Sequence, residues 1–122
     1  MLITLITVLL LGGSIDDALL DYVAETRTSV KSVITDDERR KDVTSTLNAM
    51  KKRVKQRSKA ASQTIKQLKK ALGDHEVGEQ DIDAVYANYF AKTDLFNSDM
   101  IDLRFELREK LTREEWQALF GQ

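Results

Sequence analysis

The stretch TDDERRKDVTSTLNAMKKRVKQRSKAASQTIKQLKKALG, residues 35–73, decides the fold. Its apolar residues fall at Val43, Leu47, Met50, Val54, Ala61, Ile65, Leu68 and Leu72, in steps of 4, 3, 4, 7, 4, 3 and 4. Steps of three and four return a side chain to one face of a helix, so the pattern predicts a single amphipathic helix with a heptad-like seam. Such a helix is about 37 residues, or roughly 55 Å, long. Thr35 with Glu38 three residues later reads as a capping box, each side chain taking a backbone N–H that the first turn leaves without a partner. Gly73 suits the left-handed residue just past a helix end.

Downstream, residues 74–78 read as a short turn. A third helix starts near Glu79 and carries Ile82, Val85, Tyr89, Phe96, Met100, Leu103, Leu107 and Leu111 on one face. Two long amphipathic helices joined by a short turn form an antiparallel hairpin, here about residues 36–111. Thr112-Arg113-Glu114-Glu115 repeats the capping-box pattern through Thr112 and Glu115. It opens a last short helix with Trp116, Leu119 and Phe120 on one side and Gly121 at its end. Upstream, Ser14 reads as an N-cap with Asp16 and Asp17 in the first turn. The helix it opens, residues 15–33, carries Ile15, Leu19, Val23, Val30 and Val33/Ile34 as its stripe. The expected fold is all-α: a long antiparallel helical hairpin with an additional N-terminal helix and a short C-terminal helix, one domain over residues 15–122.

Residues 1–11, MLITLITVLLL, carry no charged side chain and are followed by Gly12, Gly13 and Ser14. As a helix the run is about 16 Å long, against a bilayer core of about 30 Å. Its length and the small residues after it match a signal-peptide apolar region, although no basic side chain precedes it. Alternatively it continues through Ser14 as a membrane anchor, or forms a buried helix end. Because the run is apolar all round, residues 1–14 are read as a signal peptide or membrane anchor. The expected location is the periplasm, or the inner membrane facing the periplasm.

Composition narrows the function. The chain has 122 residues, no Pro, no Cys, five Gly and one His. That excludes a disulfide scaffold and a zinc site with Cys ligands, and leaves a Ser-His-Asp triad hard to build. Nineteen basic residues face twenty acidic ones, so the net charge of −1 gives no global attraction to nucleic acid. His75 sits between Asp74 and Glu76 in the hairpin turn, and three adjacent turn residues do not supply converging metal ligands. No metal or cofactor is expected. No nucleophile–base pair or phosphate loop stands out, and the chain reads as a non-enzyme.

Charge is unevenly placed. Between Val43 and Gly73 there are nine basic residues and no acid. Between Asp74 and Glu106 there are nine acids and two bases. Some of these attract across the hairpin and fix its antiparallel pairing. Lys51, Lys52, Arg53, Lys55, Arg57 and Lys59 place six charges in nine residues, more than a facing helix can neutralise. This cluster is the candidate partner-binding surface, suited to acidic or unfolded protein clients. It has no nucleic-acid-binding module or aromatic stacking platform around it, which argues against DNA or RNA. Tyr86, Tyr89 and Phe90 widen the apolar face of the third helix. Either the first and last helices cover that face or a second subunit does, as in a homodimer.

Ile34-Thr35-Asp36-Asp37-Glu38 and Leu111-Thr112-Arg113-Glu114-Glu115, one at each end of the hairpin, resemble the LTxxQ-type motifs of the Spy/CpxP-type periplasmic proteins and the related periplasmic metal-resistance sensors. Glu replaces Gln at both closing positions, and either side chain can close a capping box. The stretch from Leu103 to Arg108 is similar to the C-terminal helix of that family, and the resemblance spans about residues 34–120. It implies an exported, all-helical, ATP-independent chaperone-like or stress-response binding protein. The sensor branch carries His and Met ligands just before its second motif. Leu103 and Leu107 stand at the corresponding positions and bind no metal. The alternative is a membrane-anchored regulatory subunit for an inner-membrane partner, such as a sensor kinase or an efflux or metal-resistance system.

Overall fold

The computed structural model describes residues 2–121, with side chains described from Asp16 onward. Four helices follow one another: α1 (Leu2–Val33), α2 (Asp37–Gly73), α3 (Glu79–Lys110) and α4 (Arg113–Phe120). The fold is all-α, and among the described residues there is no strand. The short connections at residues 34–36 and 74–78 force antiparallel neighbours. α2 is therefore the central helix, its seam packed against both α1 and α3, while α4 folds back onto α1. The α2–α3 pair is the expected hairpin.

The seam of α2 is buried where the periodicity placed it. Val43, Leu47, Val54 and Leu68 are at most 1% exposed, and Met50 and Ala61 are also buried. Two cores result. The larger lies at the end of the bundle where four helices meet. There Val23, Val30, Ile34, Val43, Leu47, Met50, Leu107 and Leu111 pack together under Trp116, Leu119 and Phe120. The smaller joins only the two hairpin arms, with Ala61, Leu68 and Tyr89 buried among Ile65, Ile82, Val85 and Tyr86. Two helices cover a wide stripe less completely than four, and Leu72 and Phe90 are accordingly about half exposed at 50% and 49%. Of the aromatic trio, Tyr89 is buried and Tyr86 partly so, while Phe90 lies against both rings from outside.

Three expected helix boundaries are corrected. α1 does not begin at Ser14. It runs unbroken from Leu2 through Gly12, Gly13 and Ser14, so Ser14 is not its first residue. The signal-peptide or anchor character of residues 1–14, and the stripe residue Ile15, lie outside the described side chains. Among the described residues, no helix is long and apolar enough to cross a membrane. The capping box at Thr35 and Glu38 does not form either. Asp36 is the N-cap, with extended backbone (φ −74°, ψ 120°) and no side-chain cap hydrogen bond. Ile34 closes α1 just before this turn. It continues the ladder of α1, its N–H donating to the Val30 carbonyl at 2.9 Å, and its side chain is 1% exposed. With Asp36 as N-cap, α2 starts one position later than a Thr35 box requires, and Arg39 rather than Glu38 occupies the third helical position. Gly73, finally, is the last residue of α2 and not a left-handed residue beyond it, and no described glycine has a positive φ. Asp74, in extended backbone, ends the helix, its N–H donating to the Ala71 carbonyl at 3.3 Å.

The second expected box is present. The Thr112 hydroxyl accepts from the Glu115 N–H at 3.1 Å, and the Thr112 N–H donates to Glu115 Oε1 at 2.8 Å. Thr112→Ala should therefore lower the unfolding free energy by about 1 kcal/mol, as loss of an N-cap oxygen does. Thr35→Ala should change it by less than about 0.5 kcal/mol, as exposed surface changes do. Urea titration of the two variants side by side checks both, and equal losses would contradict the assigned caps.

Candidate partner-binding site

The six clustered charges of α2 divide between two faces of the helix. Arg57, four residues before Ala61 and three after Val54, lies beside the seam. Its side chain is only 20% exposed, with Nε 3.5 Å from Asp16 Oδ1 and the guanidinium 4.8 Å from the Phe96 ring centroid. Arg53, one turn earlier, meets Asp99 of α3 at 3.3 Å and donates to Gln56 at 3.0 Å. These two arginines join helices and are removed from the candidate surface. The reason is geometric: positions 53 and 57 point toward α3, whose facing positions supply Asp99 and Phe96.

Lys51, Lys52, Lys55 and Lys59 point elsewhere. With Asn48 and Gln56 they line one shallow groove along α2. Among the described residues none of the four lysines forms an ion pair. Lys52, Lys55 and Lys59 are exposed and Lys51 is half-buried. A second shallow groove, lined by Lys31, Arg40, Lys41, Thr44, Ser45 and Asn48, adjoins the first at Asn48. Of its three cations Arg40 is neutralised by Asp37, one turn earlier. The result is a lysine face on the side of α2 away from α3. Like charges three and four residues apart oppose helix formation by about 0.2–0.5 kcal/mol per pair. The bundle tolerates them because the opposite side of the same helix is firmly packed.

Asp16, expected in the first turn of a helix opened by Ser14, lies instead inside α1. It is 1% exposed, and neither of its carboxylate oxygens has a hydrogen-bond partner among the described residues. Burial pushes its carboxyl above the ordinary aspartate range, while the Arg57 charge pulls it back down.

Glu115, chosen as a capping residue, has a second task. Arg39 Nη1 donates to Glu115 Oε2 at 2.9 Å, Nη2 bonds Oε1, and Nη2 also donates to the Lys110 carbonyl at 3.2 Å. The first turn of α2 is thus tied to α4 and to the end of α3 by one two-pronged contact. Glu38 takes no part in it. Lys110 adds a second tie, reaching Asp42 at 2.9 Å, Glu106 at 3.1 Å and the Thr46 hydroxyl at 2.8 Å. The guanidinium of Arg39, with the Thr112 amide, holds the Glu115 carboxyl down at about 2. A carboxylate with a depressed folded value adds stability above its unfolded value, near 4.5, and loses that contribution as pH falls through the folded value. The advantage of the native protein over Glu115→Gln should therefore be full above about pH 5 and shrink steadily toward pH 2. Denaturant midpoints across that window test this. A constant difference would show that the charge contributes nothing.

His75 is fully exposed in the turn between α2 and α3, its Nδ1 3.5 Å from Glu76 Oε1. Among the described residues, no group of three His, Cys, Asp or Glu side chains converges to hold a metal ion.

No family model, curated protein or solved structure matches the chain.

Proposed function

We propose that the chain is a non-catalytic binding protein that captures acidic or unfolded protein clients on the lysine face of α2, as an ATP-independent chaperone or stress-response protein of the periplasm. The observation that carries this reading is the groove of Lys51, Lys52, Lys55 and Lys59, four cations without ion pairs among the described residues on a rigid helix. Such a surface raises the encounter rate with a negatively charged chain and costs no conformational ordering of its own. The likeness of the segment around Thr112, where the capping box forms, to the Spy/CpxP-type motif supports the same reading. The assay is suppression of aggregation of a thermally unfolded acidic protein, without nucleotide, at 50 mM and 1 M salt. Suppression should be strong at low salt and weak at 1 M, where the Debye length is about 3 Å. Absence of suppression at every salt concentration would remove the reading.

A second reading, a membrane-anchored regulatory subunit of an inner-membrane sensor or efflux system, draws on one observation. α1 joins the apolar run of residues 2–11 to the bundle without a break. Fractionation with mass measurement of the N-terminus separates the two. A cleaved, released chain favours the first reading, and an intact chain sedimenting with membranes favours the second.

A further inference from the structure

At the bundle end, two clefts adjoin and share Arg104 and Trp116. One, of about 320 Å³, opens between all four helices, and its wall is formed largely by Leu19, Val23, Met50, Met100, Trp116 and Phe120. The other, of about 430 Å³, is lined by Arg104, Arg108 and Arg113 together with Leu111, Thr112 and Trp116. The Arg104 guanidinium lies 5.3 Å from the Trp116 ring centroid and 5.6 Å from that of Phe105, which places it at the junction of the two.

The charge at this junction is unbalanced. Among the described residues none of the three arginines forms an ion pair. Glu115, the acid of α4 that turns into the bundle, is already held by Arg39 and the Thr112 amide. Three guanidinium groups around one cleft repel each other, and a planar fork of donors matches a carboxylate or phosphate. An apolar cleft of a few hundred Å³ with a few convergent polar groups has the form of a small-molecule site.

We propose that the joined clefts bind a single-chain amphiphilic anion. Its aliphatic tail lies between the helices against Met50, Met100 and Phe120, and its carboxylate or phosphate head meets Arg104, Arg108 and Arg113. A fatty acid and a single-chain phospholipid present the same chemistry to this site and differ in the head. The site is separate from the lysine face and does not depend on the client-binding reading.

Trp116 is the only tryptophan of the chain and lines both clefts, so its emission reports occupancy directly. The full chain is titrated, below micellar concentrations, with dodecanoate, dodecyl phosphate, dodecyltrimethylammonium and inorganic phosphate. Both amphiphilic anions should give a saturable, one-to-one change in emission. The cation of equal chain length and inorganic phosphate should each bind at least tenfold more weakly. The tighter of the two anions identifies the head. In Arg104→Gln/Arg108→Gln the anions should lose at least tenfold in affinity, with the helical circular dichroism unchanged. Equal binding of anion and cation, equal binding of inorganic phosphate and dodecyl phosphate, or no saturable change would each overturn the proposal. If the double variant loses its helical signal, the comparison of anion with cation on the native chain decides alone.

Discussion

Leu47→Ala is expected to lower the unfolding free energy by about 3 kcal/mol, within the 2–5 kcal/mol range of buried leucine truncations. Leu47 is 1% exposed and belongs to the core where α1, α2, α3 and α4 meet. Helices from four directions cannot all move inward to fill the space a leucine leaves, so much of the cavity persists and adds to the lost transfer energy. A domain of this size has about 5–15 kcal/mol of stability in total, so this one change removes a large share. Leu72→Ala is the control. Leu72 lies on the same seam but is 50% exposed, and its truncation should cost less than about 0.5 kcal/mol. Urea titrations give both values. Similar losses at the two positions would contradict the division into a four-helix core and a thinly covered hairpin tip.

The second large effect falls on binding. Lys52→Glu, Lys55→Glu and Lys59→Glu combined should weaken capture of an acidic client at least tenfold and leave helical content nearly unchanged. All three side chains are exposed, and reversal keeps the same spacing of like charges, so repulsion within the helix changes little. The potential that a client meets is inverted, however, and like charges across an interface repel. Arg57→Gln should behave in the opposite way. It leaves the Asp16 carboxylate, 1% exposed, without its 3.5 Å partner. Removing one partner of a buried ion pair typically costs about 3 kcal/mol or more. Stability should therefore fall while client capture, measured on the folded fraction, holds. Circular dichroism and anti-aggregation activity on the two variants separate a binding surface from cross-helix glue. Loss of helicity in the triple variant would assign the lysines to the fold instead.

The helices were legible because their period is strong and nothing interrupts it. A seam from Val43 to Leu72 without proline can be little else than one helix, and the short turns at 34–36 and 74–78 leave antiparallel packing as the outcome. The ends were harder. Thr35 and Thr112 carry the same local pattern, and each follows a buried aliphatic residue that continues the preceding helix, yet only Thr112 caps; α2 is capped at Asp36 instead, and Arg39 takes its third helical position, where it meets Glu115. That depends on packing with distant segments, which a local motif does not contain. The Arg39–Glu115 clamp joins residues 76 positions apart and left no local trace. The split of the basic cluster was more accessible. On a helix at 100° per residue, Arg57 falls at the edge of the seam, about 40° from Ala61 and about 60° from Val54, whereas Lys52, Lys55 and Lys59 turn at least about 100° away from Val54. Counting charges along the sequence hid what counting them by angle would have shown. Asp16 gave no such sign: first-turn acids are ordinarily solvated, and only the approach of Arg57 makes its burial tolerable.

The central claim is that the groove of Lys51, Lys52, Lys55 and Lys59, and not the whole basic face of α2, receives the client. The most direct measurement is the dissociation constant for a permanently unfolded acidic polypeptide, compared between the native chain, the Lys52/Lys55/Lys59→Glu variant and a matched Lys66/Lys69/Lys70→Glu variant. Lys66, Lys69 and Lys70 lie on the same helix and are likewise exposed, but they are outside the groove of Lys51, Lys52, Lys55 and Lys59. The account predicts at least a tenfold loss for the first variant and less than threefold for the second, with the difference fading at 1 M salt. Equal losses for the two variants, or tight binding by all three proteins, would contradict it.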